Sequence, residues 1–105
     1  MIYCIYLTKN PYEKAISYLG EELDCPGCHL EFIGYYETRE EAVEKLNNGL
    51  SSEHDEFGKN GGFLVERNPG IAFTQVNNRQ FFKWDFDRYG FYEDTEPEMW
   101  KYCGI

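Results

Sequence analysis

Positive charge is scarce in this chain of 105 residues: ten Lys and Arg stand against nineteen Asp and Glu, a formal net charge of −9. That scarcity argues against direct contact with nucleic acid, whose affinity rests on cations set against phosphates. It argues equally against an anionic membrane surface, which would repel the chain. Long apolar runs are also missing. The opening MIYCIYLTKN falls far short of the roughly 20 apolar residues of a membrane span. It carries neither a basic leader nor a small-residue cleavage site, so a cytoplasmic protein is expected.

Catalytic signatures are lacking too. There is no nucleophile elbow, no phosphate-cradling glycine loop and no His-Glu-x-x-His helix, and Gly61-Gly62 lacks the flanks of a P-loop. Histidine occurs twice, as His29 and His54, and these are the only side chains suited to general base work near neutral pH. His54 lies in SEHDEF, where neighbouring carboxylates favour its protonated form. Paired carboxylates abound, but so acidic a chain supplies them by chance. The expectation is a protein that is not an enzyme. No repeat, linker or low-complexity segment interrupts the chain, and its length fits one domain, 1–105.

Aromatic residues are the surplus: nine Tyr, eight Phe and two Trp. Each buries about 150–250 Å², more in total than a core of this size takes up. Some of them should therefore line a surface that meets a partner.

Residues 2–8, IYCIYLT, are β-branched and aromatic on both alternating faces, the pattern of a central strand covered on both sides. Asn10, Pro11 and Glu13 then read as a helix start. Tyr12, Ala15, Ile16, Leu19 and Leu23 recur at helical spacing, so the sequence predicts an amphipathic helix over 11–23, with Gly20 weakening its last turn. LEFIGYY (30–36) is the second strand. Thr38 and Glu41 form a capping box before the helix REEAVEKLNN, which Gly49 ends. A long loop, 50–61, separates it from period-two segments: GFLVER, IAFTQV, QFFKWDF and GFYED. Turns are expected at Asn68-Pro69-Gly70, at Asn77-Asn78 and at Asp87 to Gly90. Phe82, Trp84 and Phe86 should face a core while Lys83 and Asp85 face water. Residues 97–105, PEMWKYCGI, are too apolar for a free tail and should dock on the domain. The fold class is therefore α+β: a mostly antiparallel twisted sheet in the order β-α-β-α-β-β-β-β, with two helices on one face.

The segment DCPGCHLEF (24–32) satisfies the opening of several chemical motifs. Cys-x-x-Cys-His is a haem attachment signature, but the export it needs has no support here, and no second axial ligand is placed for it. A thioredoxin-like centre needs its first Cys at a helix N-terminus. Here the motif leads into a strand. Zinc is the better chemical reading, because two sulfurs on a short knuckle reach one tetrahedral ion. Cys25 and Cys28 supply that half, and His29 and Cys103 are the candidates for the rest, with His54 and Cys4 as the remaining Cys and His residues. A plain turn bearing two free thiols competes on simpler terms.

The profile that remains suits a binding protein. Small inhibitors from phages and mobile elements, of anti-restriction and anti-CRISPR type, share its size, acidity and aromatic content. The acids are clustered: Glu37, Glu40, Glu41 and Glu44 around the second helix; Asp55 and Glu56 in the loop; Glu93, Asp94, Glu96 and Glu98 near the C-terminus. If they converge, they make an anionic surface able to occupy the cleft where a basic, nucleic-acid-binding protein holds phosphates. A zinc-stabilised interaction module built on Cys25 and Cys28 is the alternative. A small-molecule sensor with a Tyr- and Trp-lined pocket is the third. An exposed aromatic strand edge would also serve a homodimer.

Overall fold

The computed structural model describes residues 1–49, 60–69, 76–88, 90–101 and 103. Five strands form one antiparallel sheet: β1 (Ile2–Thr8), β4 (Glu31–Tyr36), β5 (Gly61–Arg67), β6 (Val76–Asp85) and β7 (Gly90–Asp94), in the spatial order β4-β1-β5-β6-β7. Two further short strands, β2 (Lys14–Ile16) and β3 (Glu22–Pro26), make a separate hairpin. One α-helix, α1 (Arg39–Glu44), is present among the described residues, and a π-helical turn, Lys45–Gly49, continues it. No described helix is long and apolar enough to cross a membrane.

β1 sits where its sequence places it, between β4 and β5 with apolar neighbours on both faces. On one face Ile5 and Leu7 join Leu64, Phe82, Trp84 and Phe91 beneath Ala42 and Leu46 of the helical segment. On the other, Cys4 joins Phe63, Val65, Phe81 and Trp100. The N-cap half of the expected capping box forms: Thr38 Oγ1 accepts the Glu41 backbone N–H at 3.2 Å.

The expected helix over 11–23 is not there; the segment is the β2–β3 hairpin. The helix-start residues complete only one turn, in which Asn10 Oδ1 accepts the Tyr12 N–H at 3.0 Å. The chain then extends and reverses at Ser17-Tyr18-Leu19-Gly20. Gly20 donates its N–H to the Ser17 carbonyl at 2.9 Å, and Ser17 donates to the Glu21 carbonyl at 2.8 Å. This is the three-residue hairpin loop in which a type I turn ends on a left-handed residue, and Gly20 has φ +84. Gly20 is therefore the residue that makes the turn rather than the one that frays a helix. With one helix instead of two, the element order differs from the expected one, while the mostly antiparallel sheet stands.

The later strands carry two more corrections. Asn77 and Asn78 lie inside β6 and make no turn: Glu66 pairs with Asn78 and Arg67 with Val76, so one extra residue forms a bulge. Most of the expected strand IAFTQV lies outside the described residues, as do Gly70 and Tyr89 of the expected turns. Phe82 and Trp84 are buried, but Phe86 is 69% exposed. The strand ends at Asp85, whose Oδ1 accepts the N–H groups of Asp87 and Arg88, and this turn breaks the alternation before Phe86. The face expected to be wet is partly covered, because Phe81 packs there against Phe63 and the C-terminal segment.

The described part of that segment, residues 97–101 and 103, docks as its composition requires, while Tyr102, Gly104 and Ile105 lie outside the described residues. A 3-10 turn, Glu98–Trp100, buries Trp100 against the ring of Phe63, with centroids 5.2 Å apart. Arg79 fastens it, donating to the carbonyls of Trp100 at 2.7 Å and Cys103 at 2.8 Å.

Candidate functional site

The hairpin is the most exposed apolar element of the described structure. Ile16 is 67% exposed, Tyr18 96% and Leu19 70%, with Tyr12 and Leu23 also outside. A helix would have turned several of them inward; the hairpin presents them to solvent. Its root, by contrast, is held tightly. Pro11 is buried and its carbonyl accepts the Trp100 indole N–H. Gly27 donates its N–H to the Glu13 carbonyl at 2.8 Å, and Cys28 Sγ donates to the Glu13 carboxylate. A Cβ at Gly27 would lie 2.7 Å from the Lys14 carbonyl oxygen, so only glycine allows this approach. The Tyr12 ring, at the same root, carries the Lys83 ammonium 5.0 Å above its centroid.

The CPGCH segment closes the hairpin. Cys25 is in β3 and exposed, Cys28 is half-buried in the turn beyond it, and His29 is exposed. Beside them lies an open cleft of about 350 Å³ lined by Cys25, Pro26, Cys28, His29, Leu30, Trp100 and Cys103. A neighbouring recess of about 270 Å³ shares Cys28, Gly27 and His29 and adds Lys9. The four residues named as candidate metal ligands, Cys25, Cys28, His29 and Cys103, thus border one cleft, although three of them are close in sequence and the fourth is remote. All four cysteines are free thiols, and Cys4 stands apart in the core. Among the described residues no three His, Cys, Asp or Glu side chains are set together as a ready metal-ligand group.

Burial pushes the Cys28 thiol above its ordinary value, and the hydrogen bond to Glu13 and its negative charge push it further. The Asn10 backbone and the Lys9 charge partly offset this. Burial also raises Cys4, against the opposing charge and hydrogen bond of Arg67.

Two of the acids near the C-terminus take opposite faces of the sheet. Gln80 accepts from Arg39 Nε at 2.9 Å and donates to Glu93 at 3.0 Å, linking β7 to the helix start where Glu40 and Glu41 lie. Glu93 opposes Phe82, and Asp94 opposes Phe81, so the two carboxylates point to opposite faces. Glu96 is engaged: Arg79 Nε lies 2.7 Å from one oxygen and Arg79 Nη2 2.9 Å from the other. Glu37, Glu44 and Glu98 are exposed, while Asp55 and Glu56, like His54, lie outside the described residues. Of the expected anionic surface, Glu93 and Asp94 thus stand on opposite faces of the sheet. A fourth acidic group, missed in the sequence because the helix reading dominated, lies on the apolar hairpin: Glu21, Glu22 and Asp24, all exposed.

Comparison of the chain with protein-family models, with curated proteins and with solved structures returns no match.

Proposed function

We propose that this protein is an acidic binding module that docks on a basic partner protein through its β2–β3 hairpin. The observation that carries the reading is the exposure of Ile16, Tyr18 and Leu19 on an element outside the main sheet, with Glu21, Glu22 and Asp24 beside them. Contiguous exposed apolar groups mark interaction sites, and aromatic anchors within a polar rim are the anatomy of a protein interface. The flanking carboxylates and the net charge of −9 select a basic partner and speed its approach at low salt. A basic surface that accepts such a hairpin is chemically the surface that holds nucleic-acid phosphates. The narrower proposal is therefore inhibition of a nucleic-acid-binding protein by competition, the mode of small phage and mobile-element inhibitors.

Two variants test this. Tyr18→Ser with Leu19→Ser removes the apolar tip, and reversal of Glu21, Glu22 and Asp24 to Lys removes the rim charge. Both alter exposed side chains, so melting should stay near that of the parent chain. Immobilised parent protein should retain a basic protein that salt and added duplex DNA both release, and neither variant should retain it. Retention of the same protein by the tip variant would overturn the hairpin reading. Retention that DNA does not disturb would overturn competition. Recovery of the chain itself, with a dimeric mass in solution, would make the surface a self-association site instead.

A further inference from the structure

We propose that Cys25, Cys28, His29 and Cys103 form a binding site for one zinc ion, closing the hairpin onto the C-terminal segment. This inference does not depend on the protein-binding reading. In sequence only half a site is visible, since Cys25 and Cys28 bracket a two-residue knuckle and nothing else has ligand spacing. The fold supplies the other half. Cys103 arrives from the far end of the chain and borders the same cleft as Cys25, Cys28 and His29. Its position is set by backbone bonds that involve none of the other candidate ligands: Arg79 holds the Cys103 carbonyl at 2.8 Å, and the Cys103 N–H reaches the Trp100 carbonyl at 3.0 Å.

Three further features fit. Free cysteine is among the most buried residue types, as Cys4 illustrates, yet Cys25 is exposed on a strand beside the cleft. The three thiols and the imidazole together make a Cys₃His set, one of the usual structural zinc environments. Each cysteine gives its thiol proton to solvent on binding and His29 coordinates through a neutral ring nitrogen, so the filled site carries one net negative charge. Lys9, bordering the adjoining recess with Cys28 and His29, is the cation placed to balance it.

The side chains are not gathered beforehand. Cys28 Sγ is turned to Glu13, and no three candidate groups stand as a ready ligand set. Binding therefore requires Cys28 to leave Glu13 and the ligand side chains to turn toward the shared cleft.

The test uses the full chain, reduced and stripped of metal, titrated with Co²⁺ and then Zn²⁺. One equivalent of Co²⁺ should give thiolate charge-transfer and tetrahedral d–d absorption, and Zn²⁺ should displace it. Cys25→Ser, Cys28→Ser, Cys103→Ser and His29→Gln should each weaken or abolish that spectrum, while His54→Gln leaves it intact. In the unmutated chain, Zn²⁺ should protect Cys25, Cys28 and Cys103 together from iodoacetamide, read by mass spectrometry, so the result does not hang on how a variant folds. Absence of the thiolate band would overturn the proposal. So would a Cys103→Ser chain that binds as tightly as its parent, or protection confined to Cys25 and Cys28.

Discussion

Trp100 donates its indole N–H to the carbonyl oxygen of Pro11 at 2.7 Å, joining residues 89 positions apart. Both groups are buried, so the bond fixes where the hairpin leaves the body of the protein. Trp100→Phe keeps much of the ring contact with Phe63 but leaves the Pro11 carbonyl without this donor, at a cost of about 1–3 kcal/mol. Trp100→Ala also opens a cavity and should cost about 3–5 kcal/mol. Urea unfolding measures both. Hydrogen exchange in the Phe variant should quicken first at Gly27, whose N–H bond to Glu13 lies at the same root.

Trp84 and Phe86 separate core from surface on one strand and its exit. Trp84 is 2% exposed and meets Phe91 edge-on at 5.0 Å, beneath the helical segment. Trp84→Ala should cost about 3–5 kcal/mol. Phe86, for all its ring contact with Trp84, is mostly in water, and Phe86→Ala should cost under about 1 kcal/mol. Thermal melting of the two variants side by side gives the comparison, and equal losses would show that the alternation continues past Asp85.

What could be read in the sequence was what neighbouring residues decide. The Thr38–Glu41 cap is a contact between residues three apart, and β1 declares itself by apolar character on both faces. The docking of Trp100 followed from an apolar terminal segment that water would not tolerate. The hairpin was hidden because Tyr12, Ile16, Leu19 and Leu23 have helical spacing whether or not a helix forms. Ser17 to Gly20 held the contrary signal. The choice between the two rested on remote partners, Trp100 for Pro11 and Cys28 for Glu13. Cys103 beside the CPGCH turn is likewise a product of the tertiary fold, for which no spacing rule exists. The acids were legible as a count, but the faces that Glu93 and Asp94 take depend on the β6–β7 register, which pairs Glu93 with Phe82 and Asp94 with Phe81.

Gly20 tests the hairpin directly. Its φ of +84 lies in the left-handed region, where a Cβ costs roughly 1–2 kcal/mol. A Cβ there meets no neighbouring atom, so the cost of Gly20→Ala is conformational alone. In a helix the same change would stabilise, by up to about 1 kcal/mol. The two readings therefore differ in sign. Loss of stability, with faster exchange at the Ser17 and Gly20 amides, is the expected result, and a gain would restore the helix.

Glu13 and Lys9 act on the Cys28 thiol in opposite directions. Burial holds the thiol protonated, and the Glu13 carboxylate strengthens that by accepting the thiol hydrogen and repelling a thiolate charge. Glu13→Gln removes the repulsion while leaving an oxygen to accept the bond, so the Cys28 pKa should fall. The thiolate fraction then rises at any pH below the parent value, and because the thiolate is the nucleophile, alkylation quickens. Lys9 favours the thiolate by its charge, so Lys9→Gln should raise the pKa further and slow the same reaction. The measurement is the pH dependence of iodoacetamide labelling at Cys28, followed by mass spectrometry in a chelator. The midpoint should move down for Glu13→Gln and up for Lys9→Gln. Shifts of the same sign in both variants would mean that the Cys28 thiol does not lie between these two charges.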